Sequence, residues 1–152
     1  MSIAQRDYIL RMIEQLGLFL AKIMGARKAG DFELAEREAK AALGALFGPL
    51  AEMLEKVDSA SAASLLGGPE KMGAAAALYA ERGAAREAAG NQAGARADKK
   101  RAIELYLEAA RLKPLTEEAH KTLLDLVKDV GRERFPERYQ RELDAIAPRT
   151  GA

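Results

Sequence analysis

The sequence predicts an all-α protein. Aromatic residues, which β-sheets favour along with β-branched ones, make up only 5% of the chain. Alanine, leucine, glutamate, lysine and arginine dominate instead, and these residues lose the least free energy on entering a helix. Glycine and proline recur at intervals that suit turns between helices. We therefore expect about six main helices plus short inserted helices.

The first predicted helix runs from residue 3 to about residue 28. Ser2 and Gln5 have the spacing of a capping box at its start. Its apolar side chains fall on a stripe about 140° wide on a helical wheel, which predicts a broad buried face. The side chains of this face are Ile9, Met12, Ile13, Leu16, Phe19, Leu20, Ile23 and Met24.

The first turn and the second helix follow from a glycine and a capping side chain. Gly30 suits the left-handed end of the first helix, and Asp31 can cap the second, which runs to about Phe47. These two helices form a predicted hairpin over 3–47. Residues 49–68 are predicted as a helical insertion, with a short helix over 49–57 and one or two turns over 59–66.

The second predicted hairpin covers 69–112. Pro69 opens its first helix, at a position where the missing N–H costs nothing. Gly90 and Asn91 break this helix near residue 89, as Gly30 and Asp31 break the first. The next helix spans 92–112 and is stopped by Pro114.

The third predicted hairpin covers 117–147. Thr116 can cap its first helix, over 117–130, and Gly131 ends that helix. A last helix over 136–147 precedes Pro148. We therefore expect one helical domain over 1–148 and a frayed tail over 149–152.

The hairpins resemble a known repeat family. The run from Ala102 to Pro114 places alanine, an aromatic residue (Tyr106), alanine and proline at the spacing of the second helix of a tetratricopeptide repeat. The opening run 4–15 with Gly30 and Asp31 also resembles an uncharacterised bacterial family with tetratricopeptide-like helices. The resemblance implies antiparallel hairpins stacked as a short right-handed superhelix, and an uncharacterised bacterial protein that binds other proteins.

Charge and cysteine content exclude several classes of function. The chain carries 24 Lys and Arg against 23 Asp and Glu, a net charge of +1, and it has no cysteine. A near-neutral balance indicates neither a nucleic-acid partner nor a membrane partner. The missing cysteines exclude disulfides, thiol catalysis and cysteine-based metal sites. We expect a cytoplasmic protein.

No motif indicates an enzyme, a metal or a cofactor. Glu117 and His120 have the Glu-x-x-His spacing of di-iron helical bundles, but such a site needs two copies of that motif and the chain has a single histidine. No nucleophile has a base in an identifiable context. The expectation is a protein without catalytic residues, bound metal or cofactor. An enzyme with no recognisable motif is the third alternative.

The predicted function is binding of a protein or peptide partner on a concave helical surface. Two polar stripes on the first helices of the second and third hairpins are the candidate binding residues. They are Tyr79, Arg82, Arg86, Lys121, Asp125 and Lys128. Their charge favours an acidic, extended peptide. The alternative is a structural homo-oligomer, such as a homodimer, that buries the apolar face of the first helix.

Overall fold

The computed structural model describes residues 2–146, and in this range the chain is helical with no strand. The prediction of an all-α protein is confirmed. The elements are α1 (Ile3–Lys28), α2 (Phe32–Phe47), α3 (Leu50–Leu54), α4 (Ser59–Leu66), α5 (Pro69–Ala88), α6 (Gln92–Leu112), α7 (Glu117–Val130) and α8 (Glu137–Ile146), with a 3-10 turn at Arg132–Arg134. The predicted tail at 149–152 lies outside the described residues.

Local signals determine where the helices begin and end. The Ser2 hydroxyl accepts a hydrogen bond from the Gln5 N–H at 3.1 Å, and the Gln5 side chain accepts one from the Ser2 N–H at 3.1 Å. This is the predicted capping box. Gly30 and Gly90 have φ of +83° and +91°, a left-handed conformation that favours glycine. These two turns therefore depend on the residue type that the sequence places there.

The helices pack mainly against their neighbours in the chain. α1 lies along α2, and α5 lies along α6 in the most extensive contact of the fold. α2 also packs on α5, and α6 packs on α7, so the helices form one continuous array around a shared core. α1, α5 and α7 lie on one side of this array, where α1 meets α5 and α5 meets α7.

The insertion between α2 and α5 is held by side chains of α6. The Arg101 guanidinium donates hydrogen bonds to the carbonyl oxygens of Leu54 at 3.1 Å and Val57 at 2.5 Å. The Ser59 hydroxyl donates to the Glu104 carboxylate at 2.7 Å. The backbone between α3 and α4 is therefore fixed to the helix behind it.

The last helix does not form the close hairpin predicted for 117–147. Among the described residues, the main backbone contacts of α8 are with α6 and with the 3-10 turn, not with α7. Phe135 is extended, with φ −102° and ψ 152°, as expected of a residue that precedes proline. The 3-10 turn and this extended residue direct α8 towards α6, where Tyr139 and Leu143 are buried.

The apolar face of α1 is less buried than predicted. Of its eight predicted core residues, only Met12 and Ile23 are buried. Ile13 and Met24 keep 47% and 37% of their surface exposed, and the other four are partly buried. The reason is that one edge of the stripe borders a groove instead of another helix.

Candidate binding groove

An apolar groove of about 530 Å³ lies between α1, α5 and α7. Its α1 wall consists of large side chains on successive turns: Ile13, Leu16, Leu20 and Met24. Residues three, four and seven apart share one face of a helix, which is why these four line the same wall. The part of the apolar α1 face that is not buried in the core thus lines the groove.

The α5 wall of the groove is built from small residues. Gly73, Ala77 and Ala80 lie at spacings of four and three on one face of α5, and all three are partly exposed. Behind them, Ala109 of α6 contributes to the lining, and Ala119 lines the groove from α7. Small side chains keep the groove deep and let the backbone of an incoming segment approach closely. A deep groove of this kind buries more of a bound helix than a flat surface would.

The charged groups at the groove are mostly acidic. Glu70, Glu81 and Glu118 line it, against the single cation Lys113. Glu70 pairs with Lys113 at 3.7 Å, and Glu81 pairs with Arg27 at 3.4 Å. Glu118 forms no ion pair with the residues that the structure describes. The groove therefore favours a partner with basic side chains.

Tyr106 of α6 also lines the groove, between α5 and α7. Only 4% of its surface is exposed, and within residues 2–146 its hydroxyl makes no hydrogen bond. Burial raises the pKa of Tyr106 above its usual range, and the charges of Glu118 and Glu81 raise it further. The phenol therefore keeps its proton at any physiological pH.

The predicted stripe on α5 does not face this groove. Tyr79 and Arg82 are 2% and 5% exposed and belong to the core, and Arg86 is partly buried. None of the three lines the groove. The prediction that this stripe binds an acidic peptide is wrong for Tyr79 and Arg82, because their side chains are already enclosed by α6 and the insertion.

Arg82 and Arg86 belong to a buried ion cluster between α5 and α6. Arg82 donates two hydrogen bonds to the Asp98 carboxylate, at 2.9 and 2.8 Å, and another to Glu55 at 2.8 Å. Arg86 donates to Asp98 at 3.1 Å and to Glu36 at 2.8 Å. Both guanidinium groups are therefore occupied within the fold.

The predicted stripe on α7 is exposed but lies beside the groove. Lys121, Asp125 and Lys128 are all exposed, and none of them lines it. Within the described part of the chain, none of the three has an ion-pair partner. Their contribution to partner binding stays a prediction.

The tyrosine at position 79 leads to a stability prediction. Its buried hydroxyl has no hydrogen-bond partner in residues 2–146, so Tyr79→Phe removes an unsatisfied polar group and should leave stability unchanged or raise it by up to about 1 kcal/mol. Tyr139→Phe is the matched contrast, since the Tyr139 hydroxyl donates to the Glu108 carboxylate at 2.6 Å. Loss of this hydrogen bond in Tyr139→Phe should lower the free energy of unfolding, measured in urea, by about 2 kcal/mol. Equal losses in the two variants would contradict this assignment.

The same tyrosine provides a pH readout. Burial raises the pKa of Tyr79 to about 12, from the value of 10.0 expected in the unfolded chain. A neutral phenol is therefore favoured by folding, and this contribution is complete below pH 10 and declines between pH 10 and 12. Tyr79→Phe should lose less stability than the parent protein across that window.

Other kinds of site are missing from the described residues. Within residues 2–146, no cluster of three or more His, Asp or Glu side chains is arranged to hold a metal ion. No helix in this range has an apolar stretch long enough to span a bilayer. Comparison of the chain with known family models, with curated proteins and with solved structures found no match.

Proposed function

We propose that this protein is a non-catalytic, tetratricopeptide-like interaction module whose groove between α1, α5 and α7 binds a helix of a partner protein. The observation that carries the proposal is an apolar groove, built on three helices, with large side chains of α1 left exposed along it. Amphipathic helices bind such grooves through apolar residues on one face. The proposed groove involves α5 and α7, the helices of the two predicted stripes, but none of the six predicted binding residues lines it.

The dimensions of the groove support a helix of about three turns. Its α5 wall runs from Pro69 to Glu81, and a rise of about 1.5 Å per residue makes this stretch about 18 Å long. The acidic lining, with Glu70, Glu81 and Glu118 against Lys113, supports a basic helix in place of the acidic peptide expected from the sequence.

Blocking the groove tests this function. A display library of helix-forming 16-residue peptides would be selected against the protein, and the binders measured by fluorescence anisotropy. Ala77→Trp places a large ring on the α5 wall and should weaken these binders by at least about tenfold. The ring fills space in the groove that the bound peptide would otherwise occupy. The control is Ala88→Trp, at an exposed position of α5 outside the groove.

Two results would contradict the proposal. Either the library yields no binder of the folded protein, or Ala77→Trp and Ala88→Trp affect the binders equally. Thermal unfolding of both variants confirms that each one is folded before binding is compared.

The second candidate function is structural self-association through α1. Ile3, Leu10 and Ile13 are 79%, 52% and 47% exposed, at spacings of seven and three that repeat along a helix. Such a seam favours packing against another helix. Light scattering at micromolar concentration distinguishes the candidates, since a strict monomer removes this one and a stable dimer supports it.

A further inference from the structure

Three of the polar residues that line the groove are Glu81, Glu118 and Tyr106. Glu81 projects from α5, Glu118 from the first turn of α7, and Tyr106 from α6 between them. All three residues belong to the lining of the same groove. The same lining includes Ala77 and Ala80 of the α5 wall.

This cluster is electrostatically incomplete within the residues that the structure describes. Its two carboxylates face one cation, Arg27, which reaches Glu81 at 3.4 Å from α1. Glu118 has no ion-pair partner there, and the Tyr106 hydroxyl has no hydrogen-bond partner, although only 4% of the surface of Tyr106 is exposed. Because Tyr106 lines the groove, this unpaired hydroxyl is available to a ligand.

We propose that Glu81, Glu118 and Tyr106 bind the side chain of one lysine or arginine on the apolar face of the partner helix. This inference rests on the proposed function and adds the residue that positions the helix in the groove. An ammonium or guanidinium group is a donor without acceptors, and the cluster offers it carboxylate oxygens and the phenol oxygen. The methylene stem of the same side chain packs on the alanines of the α5 wall.

The charge of the cluster makes such a residue specific. A neutral apolar side chain at this position would desolvate the unpaired Glu118 carboxylate without compensation, and an acidic one would add repulsion. A basic residue removes both costs. The expected motif is therefore one lysine or arginine with apolar residues three or four positions before and after it.

The experiment uses the selected 16-residue peptides and paired substitutions on both molecules. We expect the binders to share a basic residue at one position, and norleucine there, which keeps the methylene stem but not the charge, to weaken binding about tenfold. Glu118→Gln should weaken the lysine peptide about fivefold and leave the norleucine peptide within about twofold. Tyr106→Phe and Glu81→Gln should show the same selectivity. Glu117→Gln is the control, since Glu117 is the exposed neighbour outside the groove.

The outcomes separate this inference from the proposed function. Peptides that are blocked by Ala77→Trp but share no basic residue, or that bind Glu118→Gln and parent protein equally, overturn the inference and leave helix binding intact. Binders that are insensitive to Ala77→Trp overturn both. A second copy of the chain that fills the groove and excludes the peptides, seen by light scattering, also overturns both.

Discussion

Arg82→Met is expected to lower the free energy of unfolding by about 3 kcal/mol, because it leaves the buried Asp98 carboxylate with one of its two cations. The side chains of Arg82 and Asp98 are 7% and 5% exposed, so water cannot replace the lost hydrogen bonds. Methionine retains much of the apolar stem, which limits the loss due to packing. For a chain of this length, the melting temperature should fall by about 6–12 °C.

The double variant Arg82→Met with Asp98→Leu tests the cause of this loss. It removes both partners, so the uncompensated charge disappears and much of the stability should return. Arg37→Met is the control, since Arg37 is exposed on α2 and has no ion pair within the described residues; it should change stability by less than about 0.5 kcal/mol. If the double variant is no more stable than Arg82→Met, packing rather than charge explains the loss. Urea unfolding measures all three.

Gly83→Val should be nearly as damaging, at about 2–3 kcal/mol, because α5 and α6 approach closely at this residue. A Cβ atom there would lie 3.0 Å from the Lys99 Cγ, 3.2 Å from the Ala95 carbonyl oxygen and 3.3 Å from the Asp98 Cβ. A flexible side chain can move away, but the carbonyl oxygen moves only with its helix. The two extra methyl groups of valine make the overlap larger.

Gly44→Val is the matched control for this substitution. Gly44 also lies inside a helix, and a Cβ atom there would meet nothing within 4 Å. The same chemical change should therefore leave stability within about 0.5 kcal/mol of the parent, since valine is a slightly better helix former than glycine. Similar thermal unfolding of the two variants would show that helix propensity, not the α5–α6 approach, determines the effect at Gly83.

The sequence predicted helix boundaries well because their signals are local. α6 and α7 begin and end where Asn91, Pro114, Thr116 and Gly131 place them. The cap of α7 is made by the Thr116 hydroxyl, which accepts from the Ala119 N–H at 3.1 Å. Each of these effects involves residues within one turn of each other, so the sequence contains all that is needed to infer it.

Burial of charged residues was not predicted because it depends on distant partners. The sequence pattern indicates a solvent-exposed Arg82 on a polar stripe, yet the side chain binds Asp98 on the facing helix α6. One signal was available: Asp98 lies three residues after Ala95 and four before Ala102, both fully or almost fully buried. An acid on that alanine face of α6 indicates a buried cation on the facing helix.

The candidate groove residues were missed for a related reason. Glu81, Tyr106 and Glu118 come from three different helices, and no spacing within one helix connects them. The sequence did contain the small residues Gly73, Ala77 and Ala80 at helical spacing. Such a row is equally compatible with close packing in the core. The pattern alone therefore cannot show whether another helix covers these residues or whether they line an open groove.

The insertion between α2 and α5, held by side chains of α6, has a consequence for redesign of the chain. A short turn grafted between α2 and α5 would delete the carbonyl oxygens that accept hydrogen bonds from Arg101 and the Glu55 carboxylate that accepts from Arg82. Arg101 would then lose both of these acceptors, and Arg82 would keep only its hydrogen bonds to Asp98. The segment between α2 and α5 is thus more than a connection, because it supplies hydrogen-bond acceptors to arginines of α5 and α6.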